Sequence, residues 1–224
     1  MKPVALLLAL TLSVQTAMAE CASDAMVVFD GSASMSEVGF DTGDATRIEE
    51  ARLAMARVMP QVEAFRRIGL LTYGPGGDTA CSGASLRFLP RADAADLMIA
   101  ELDAMRPSGL TPLADAVEQA AEALDFRNER AVVVLVTDGN ETCGGRPCAV
   151  SERLAASARD LIVHVIGFRV SRDFFAWNNP EQTYGEDTVA KCFADRTGGL
   201  FVTTETVDDL VAALQRTLGC PVIG

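Results

Sequence analysis

The chain is 224 residues long, 49% hydrophobic, and carries 31 acidic against 19 basic residues for a formal net charge of −12. That length suits one ordinary domain with a sizeable core, and the acidic balance argues against nucleic acid and anionic membrane as partners. With one histidine and no Cys-x-x-Cys pair among its six cysteines, the chain is also a poor match for a zinc or thiol-redox centre.

Taken from the start, residues 1–19 read as a secretory leader. Lys2 gives a basic beginning, Val4 to Leu12 is apolar, and Ala17-Met18-Ala19 is a small-x-small cleavage site. A membrane anchor needs about 20 apolar residues, and Ser13 and Gln15 interrupt this run. Glu20 before Cys21 does not fit a lipoprotein anchor, and no later segment is long and apolar enough to span a bilayer. The expected product is a soluble exported protein, periplasmic or secreted, forming a single domain over 20–224 with its core at about 22–219.

Val27 to Phe29 predicts a buried strand ending in Asp30, with Ser32 and Ser34 in the loop beyond. Thr46-Arg47-Ile48-Glu49 is a capping box opening an amphipathic helix to about Met59. Ile68 to Tyr73 is a strand, Gly74-Pro75-Gly76-Gly77 a turn, and Ser85 to Leu89 a returning edge strand. A helix over Asp93 to Met105 leads to Gly109-Leu110-Thr111-Pro112-Leu113. This stretch sets a hydroxyl at the mouth of a helix running to about Leu124, with Pro112 suited to its first position. Ala131 to Thr137 is a second apolar run ending in a carboxylate, Asp138. A helix to about Arg159, a strand over Leu161 to Phe168 and a helix over Thr188 to Arg196 stopped by Gly198-Gly199 follow. A strand over Leu200 to Thr203 precedes a last helix capped by Thr206 and running through Leu218. His164 falls mid-strand, as a packed structural histidine would. The alternation predicts an α/β fold: a doubly wound, mostly parallel sheet with one antiparallel edge strand and helices on both faces.

An even cysteine count in an exported chain predicts disulfides, and six cysteines allow 15 pairings. Cys143 and Cys148 bracket a short loop able to close locally. Cys21 and Cys220 flank the domain and suit a staple between its ends. That leaves Cys81 with Cys192.

Asp30, Ser32 and Ser34 offer small oxygen ligands on one short loop, which suits a hard cation such as Mg2+ (or Mn2+). Thr111 and Asp138 supply two further pieces in order. Together these stretches resemble the metal-ion-dependent adhesion site of von Willebrand factor type A domains, and the resemblance extends over nearly all of the chain after the leader. It implies that Ser32, Ser34 and Thr111 offer hydroxyls to the metal, and that Asp30 and Asp138 bind it directly or through water. It also implies the strand order 3-2-1-4-5-6, which makes the Asp30 and Asp138 strands neighbours where the winding reverses. Within that family the chain looks most like a bacterial exported group. The likeness rests on Val136-Thr137-Asp138-Gly139-Asn140-Glu141-Thr142-Cys143-Gly144-Gly145-Arg146-Pro147-Cys148, on Val163-His164-Val165-Ile166-Gly167-Phe168 and on Thr197-Gly198-Gly199.

The function implied is an exported binding module rather than an enzyme: a partner protein presents an Asp or Glu carboxylate to the divalent cation. A Mg2+-dependent phosphatase of the haloacid dehalogenase type needs a second acid two residues after the first, where Ser32 stands. A serine hydrolase needs a G-x-S-x-G elbow, which is missing. A structural domain with a vestigial metal site is the third alternative. Phe174, Phe175, Trp177 and Tyr184, on the connection from Arg169 to Asp187, form either a partner patch at the rim or a cover over the core.

Overall fold

A computed structural model describes residues 23–38, 45–76, 79–170, 183–184 and 187–219. The leader, the Cys21–Cys220 pairing and Phe174, Phe175 and Trp177 lie outside the described residues, and Tyr184 is described by its backbone alone.

The elements in order are β1 (Asp24–Asp30), a 3-10 turn (Ala33–Ser36), α1 (Arg47–Val62), β2 (Ile68–Tyr73), β3 (Ser85–Arg91), α2 (Ala95–Ala104) and α3 (Leu113–Ala123). β4 (Arg130–Thr137), α4 (Pro147–Ser157), β5 (Asp160–Phe168), β6 (Thr183–Tyr184), β7 (Asp187–Thr188), α5 (Lys191–Thr197), β8 (Phe201–Thr204) and α6 (Val207–Leu218) complete them. Six strands form one sheet in the order β3-β2-β1-β4-β5-β8, parallel except for the antiparallel edge strand β3. The expected sixth strand is therefore β8, because the short pair β6–β7 stands apart from the sheet.

The central strands are buried on both faces, which is why they read as unbroken apolar runs. On one face Ala25, Val27, Phe29, Val132, Val134 and Val136 pack beneath α1, α2 and α6. On the other, Met26, Val28, Val133, Leu135, Val163 and Val165 pack beneath α3, α4 and α5. The capping boxes form at both helices that carry them: Thr46 with Glu49 opens α1, and Thr206 with Asp209 opens α6.

Two boundaries move for reasons of packing. α1 runs past Pro60 to Val62, because Val62 is buried under the sheet and that burial outweighs the helix-breaking ring so near the end. Thr188, expected to start a helix, instead pairs with Thr183 in β7, and α5 begins at Lys191.

Two expected disulfides are overturned. Cys143 does not pair with Cys148, and Cys81 does not pair with Cys192; the bonds are Cys81–Cys143 and Cys148–Cys192. The Gly144-Gly145-Arg146 segment turns the chain into α4, so Cys143 stays in the loop beside Cys81. Cys148 enters the first turn of α4 and faces Cys192 on the neighbouring α5.

Non-reducing peptide mapping should recover Cys81 linked to Cys143 and Cys148 linked to Cys192; a closed Cys143–Cys148 fragment would contradict this pairing. Replacing Cys148 and Cys192 by serine should cost about 2–4 kcal/mol in urea unfolding, the usual contribution of one cross-link.

Candidate metal centre

Parallel register sets Phe29 of β1 against Val136 of β4, so Asp30 falls level with Thr137 and Asp138 follows one residue on, both carboxylates at the carboxyl ends of neighbouring strands. β1 and β4 meet where the sheet's winding reverses, the usual place for a ligand in such sheets. Both carboxylates are fully buried, Ser32 is 2% exposed and Thr111 5%.

Asp30 is fixed by donors from both sides. The Ser32 amide reaches its Oδ1 at 2.8 Å, and the Thr137 hydroxyl its Oδ2 at 2.7 Å. The Tyr73 hydroxyl donates in turn to Thr137 Oγ1 at 3.0 Å. Burial, and then the charge of Asp30, hold the Tyr73 phenol well above its ordinary range, so it remains a proton donor.

Ser32 and Ser34 stand on the turn after β1, with their hydroxyl oxygens 3.1 Å apart. Ser34 Oγ donates to Asp138 Oδ1 at 2.8 Å, a contact spanning 104 residues of chain. The other oxygen of Asp138, Oδ2, accepts from Arg47 Nη1 at 3.0 Å.

Thr111 is brought in by its backbone. The Ala33 amide donates to Gly109 O at 3.2 Å, and the Ser108 amide to Gly31 O at 2.9 Å, seating the Ser108–Thr111 loop against the serine turn. Gly74 and Gly109, both at positive φ, allow this approach. A Cβ on Gly74 would lie 2.5 Å from the Gly31–Ser32 backbone, and one on Gly109 would lie 2.3 Å from Gly74 O. On its far side Thr111 pairs with Thr142: its amide donates to Thr142 Oγ1 at 2.8 Å, and the Thr142 amide donates to Thr111 O at 3.0 Å. The Cys81–Cys143 bond ties the two strips of chain flanking this loop, where the Leu110 amide also donates to Ala80 O at 2.9 Å.

A hydroxyl at a helix mouth can cap the helix or bind a ligand, and here Glu141 relieves that competition. The fully buried Glu141 carboxylate accepts from the Ala114 amide of α3 at 2.9 Å and from the Cys143 amide at 2.8 Å. The Thr111 hydroxyl makes no hydrogen bond among the described residues and does not cap α3.

The electrostatics suit a cation. Burial, followed by the neighbouring charge of Asp30, pushes the Asp138 carboxyl up from about 3.8 to about 7, although Ser34 and Arg47 pull the other way. Two carboxylates with neutral hydroxyls and no nitrogen or sulfur ligand fit a hard oxygen-seeking ion. Among the described residues there is no group of three or more His, Cys, Asp and Glu placed to hold a metal, so any ion here relies on the hydroxyls as well.

His164 is remote from this centre. Its Nδ1 accepts from the Leu200 amide at 3.0 Å, and burial, with Arg66 nearby, lowers it to about 4. It lines a cavity of about 600 Å3, with Arg66, Arg130 and Arg216, near the opposite ends of β4 and β5.

Ser32, Ser34 and Asp138 thus meet through side chains, Asp30 joins them by accepting from the Ser32 and Asp138 amides, and the loop before Thr111 is bonded to the serine turn through Ser108 and Gly109. Arg47, Thr137, Glu141 and Thr142 were not foreseen as parts of the site. Arg47 carried a signal: a cation in the first turn of a helix opposes the helix dipole and asks for a nearby anion.

A six-stranded, mostly parallel sheet wound in this order, with helices on both faces and acidic and hydroxyl groups on the loops at its reversal, defines a doubly wound α/β domain. The chain belongs to the von Willebrand factor type A domain family, whose sequence pattern matches residues 25–141. Members are mostly protein-interaction modules, often dependent on a metal ion. YwmD, an uncharacterized protein of Bacillus subtilis (strain 168), is 30% identical over 200 residues, covering 85% of this chain and 82% of the relative. Among solved structures, the SpRpn10 VWA domain superposes with a TM-score of 0.62 at 14% identity, covering 91% of this chain and 100% of that one. Proximal thread matrix protein 1 from the mussel byssus, with a zinc occupied MIDAS motif, gives 0.58 at 19% identity, covering 89% of this chain and 46% of that one. These structural likenesses concern the fold alone.

Glu141→Ala should strip one buried and one half-buried amide of their acceptor and destabilise the protein by about 1–3 kcal/mol in chemical denaturation. The raised Asp138 carboxyl binds its proton more tightly folded than unfolded. Metal-free protein should therefore lose stability as pH rises from about 4 to about 7 and then level off. Urea unfolding in EDTA across that range should show the slope, and Asp138→Asn should flatten it.

Proposed function

We propose that the protein is an exported binding module that engages a partner protein through a divalent cation, Mg2+ or Mn2+, held by Asp30, Ser32, Ser34, Thr111 and Asp138. The observation that supports this most strongly is the contact of Ser34 with Asp138 beside the buried Asp30. It supports the reading because Ser34 and Asp138, 104 residues apart in the chain, share a hydrogen bond at the ends of neighbouring strands. A bound cation supplies a Lewis-acidic point able to take one oxygen of an outside carboxylate. Asp30 and Asp138 neutralise that cation, while the hydroxyls complete its surroundings without adding charge, so the loaded site keeps attraction for an Asp or Glu side chain. Thr137 and Tyr73 keep Asp30 in place, and Glu141 leaves the Thr111 hydroxyl available.

Export is part of this reading. It rests on the leader pattern of residues 1–19 and on the two disulfides, which persist in oxidising compartments. Among the described residues no helix is long and apolar enough to cross a membrane. Binding rather than catalysis is favoured because Ser32 stands where a phosphatase of the type considered would need its acid, and the one histidine is committed to a backbone amide.

Millimolar Mg2+ or Mn2+ should raise the melting temperature of the purified protein by mass action, and Asp30→Ala should abolish the rise. Zinc belongs in the same series, since the mussel protein's motif takes it. A pull-down from the producing cell's envelope should recover a protein that EDTA releases; retention of every captured protein through chelation would overturn the adhesion reading.

A further inference from the structure

Among the described residues, Arg47 is the one cation in hydrogen-bond contact with either carboxylate, and its seat is unusual. A single nitrogen, Nη1, serves three acceptors: Asp138 Oδ2 at 3.0 Å, Glu37 Oε2 at 3.0 Å and Ser34 O at 3.1 Å. The Nε of the same guanidinium is buried and has no hydrogen-bond partner among the described residues. Buried donors are nearly always paired, so this position satisfies the group incompletely. Asp138 is fully buried, whereas Glu37 is 61% exposed, so the guanidinium is shared between an inner and an outer carboxylate. The helix that carries it begins at Arg47 itself, and its dipole repels a cation there. What holds the charge in place is therefore Asp138, Glu37 and the Ser34 carbonyl, not the helix.

We propose that Arg47 is a built-in competitor for the divalent cation and sets how strongly the metal is held. This inference rests on the metal-site reading above. In the absence of metal Arg47 offsets one of the two inner negative charges, so an incoming ion meets one uncompensated carboxylate rather than two. Once an ion is present, the inner group of Asp30, Asp138, Arg47 and the ion carries one net positive charge, faced on its outer side by the exposed Glu37 carboxylate. Metal is thus held weakly by the chain alone, and the loaded centre is biased toward an anionic partner. Arg47 is a specificity-determining residue acting through Asp138, and nothing requires it to touch the metal.

The test is Mn2+ affinity by isothermal titration calorimetry on the purified protein and its variants, with folding checked by thermal melts in EDTA. Arg47→Gln should bind Mn2+ about tenfold tighter than the unaltered chain, as loss of a close like charge in a partly shielded site predicts. Arg47→Lys, which keeps the charge, should stay near the unaltered affinity; a purely structural role would weaken binding in both variants. Glu37→Gln is a solvent-facing change that leaves Asp138 as the carboxylate bonded to Arg47, with Ser34 O beside it, and it should shift affinity the other way, weakening Mn2+ by roughly threefold. Equal or weaker binding by a folded Arg47→Gln, while the unaltered chain binds and Asp30→Ala does not, would overturn the role of Arg47 and leave the metal site standing. Absence of Mn2+ binding in every form would remove both together.

Discussion

Two carboxylates held side by side away from water are the constraint on which the rest of the molecule depends. Asp30 and Asp138 each close a strand, and the parallel register of β1 and β4 leaves them no other place to go. Removing such groups from water costs free energy unless charge or hydrogen bonds compensate. The surroundings can be understood as that compensation. Thr137 and the Ser32 amide serve Asp30, while Ser34 and Arg47 serve Asp138. The high proton affinity of Asp138 shows that the compensation falls short, which is the physical sense in which the centre suits an added cation.

Much of the architecture can be read in the chain, because its signals are local and repeated. Val27 to Phe29 and Ala131 to Val136 are apolar on every residue, as only strands covered on both faces are, and Thr46 and Thr206 mark helix starts that form as expected. Ile68 to Tyr73 matches its strand residue for residue. The antiparallel edge also follows from sequence, since a glycine-rich turn separates β2 from a strand with polar positions. What fails is what depends on direction in space. Cys143 and Cys148 are close in sequence, yet the intervening turn sends them to different neighbours, and counting residues cannot reveal this.

The centre itself divides along the same line. Asp30, Ser32, Ser34 and Asp138 are legible because the motif joins strand ends to a short loop, and strand register then brings the loops together. Thr111 is legible as a helix-mouth hydroxyl, but its freedom from capping is not, because that depends on Glu141 reaching back across 27 residues to the Ala114 amide. Thr142 is hidden likewise: nothing in its neighbourhood announces that its hydroxyl will accept the Thr111 amide. Arg47 stands in the sequence as part of the capping-box stretch, and its link to Asp138 depends on where the start of α1 lies in space.

The cross-link between Cys81 and Cys143 joins the two segments that hold the Thr111 loop from either side. Its effect reaches past general stiffening, because Thr111, one of the five residues proposed to hold the cation, sits on a loop braced by a bond that the amino-acid order does not form unaided. Assembly of the centre is therefore a matter of electron transfer as well as of folding: a newly made chain in a reducing environment carries every side chain of the motif but lacks this covalent brace on its Thr111 loop.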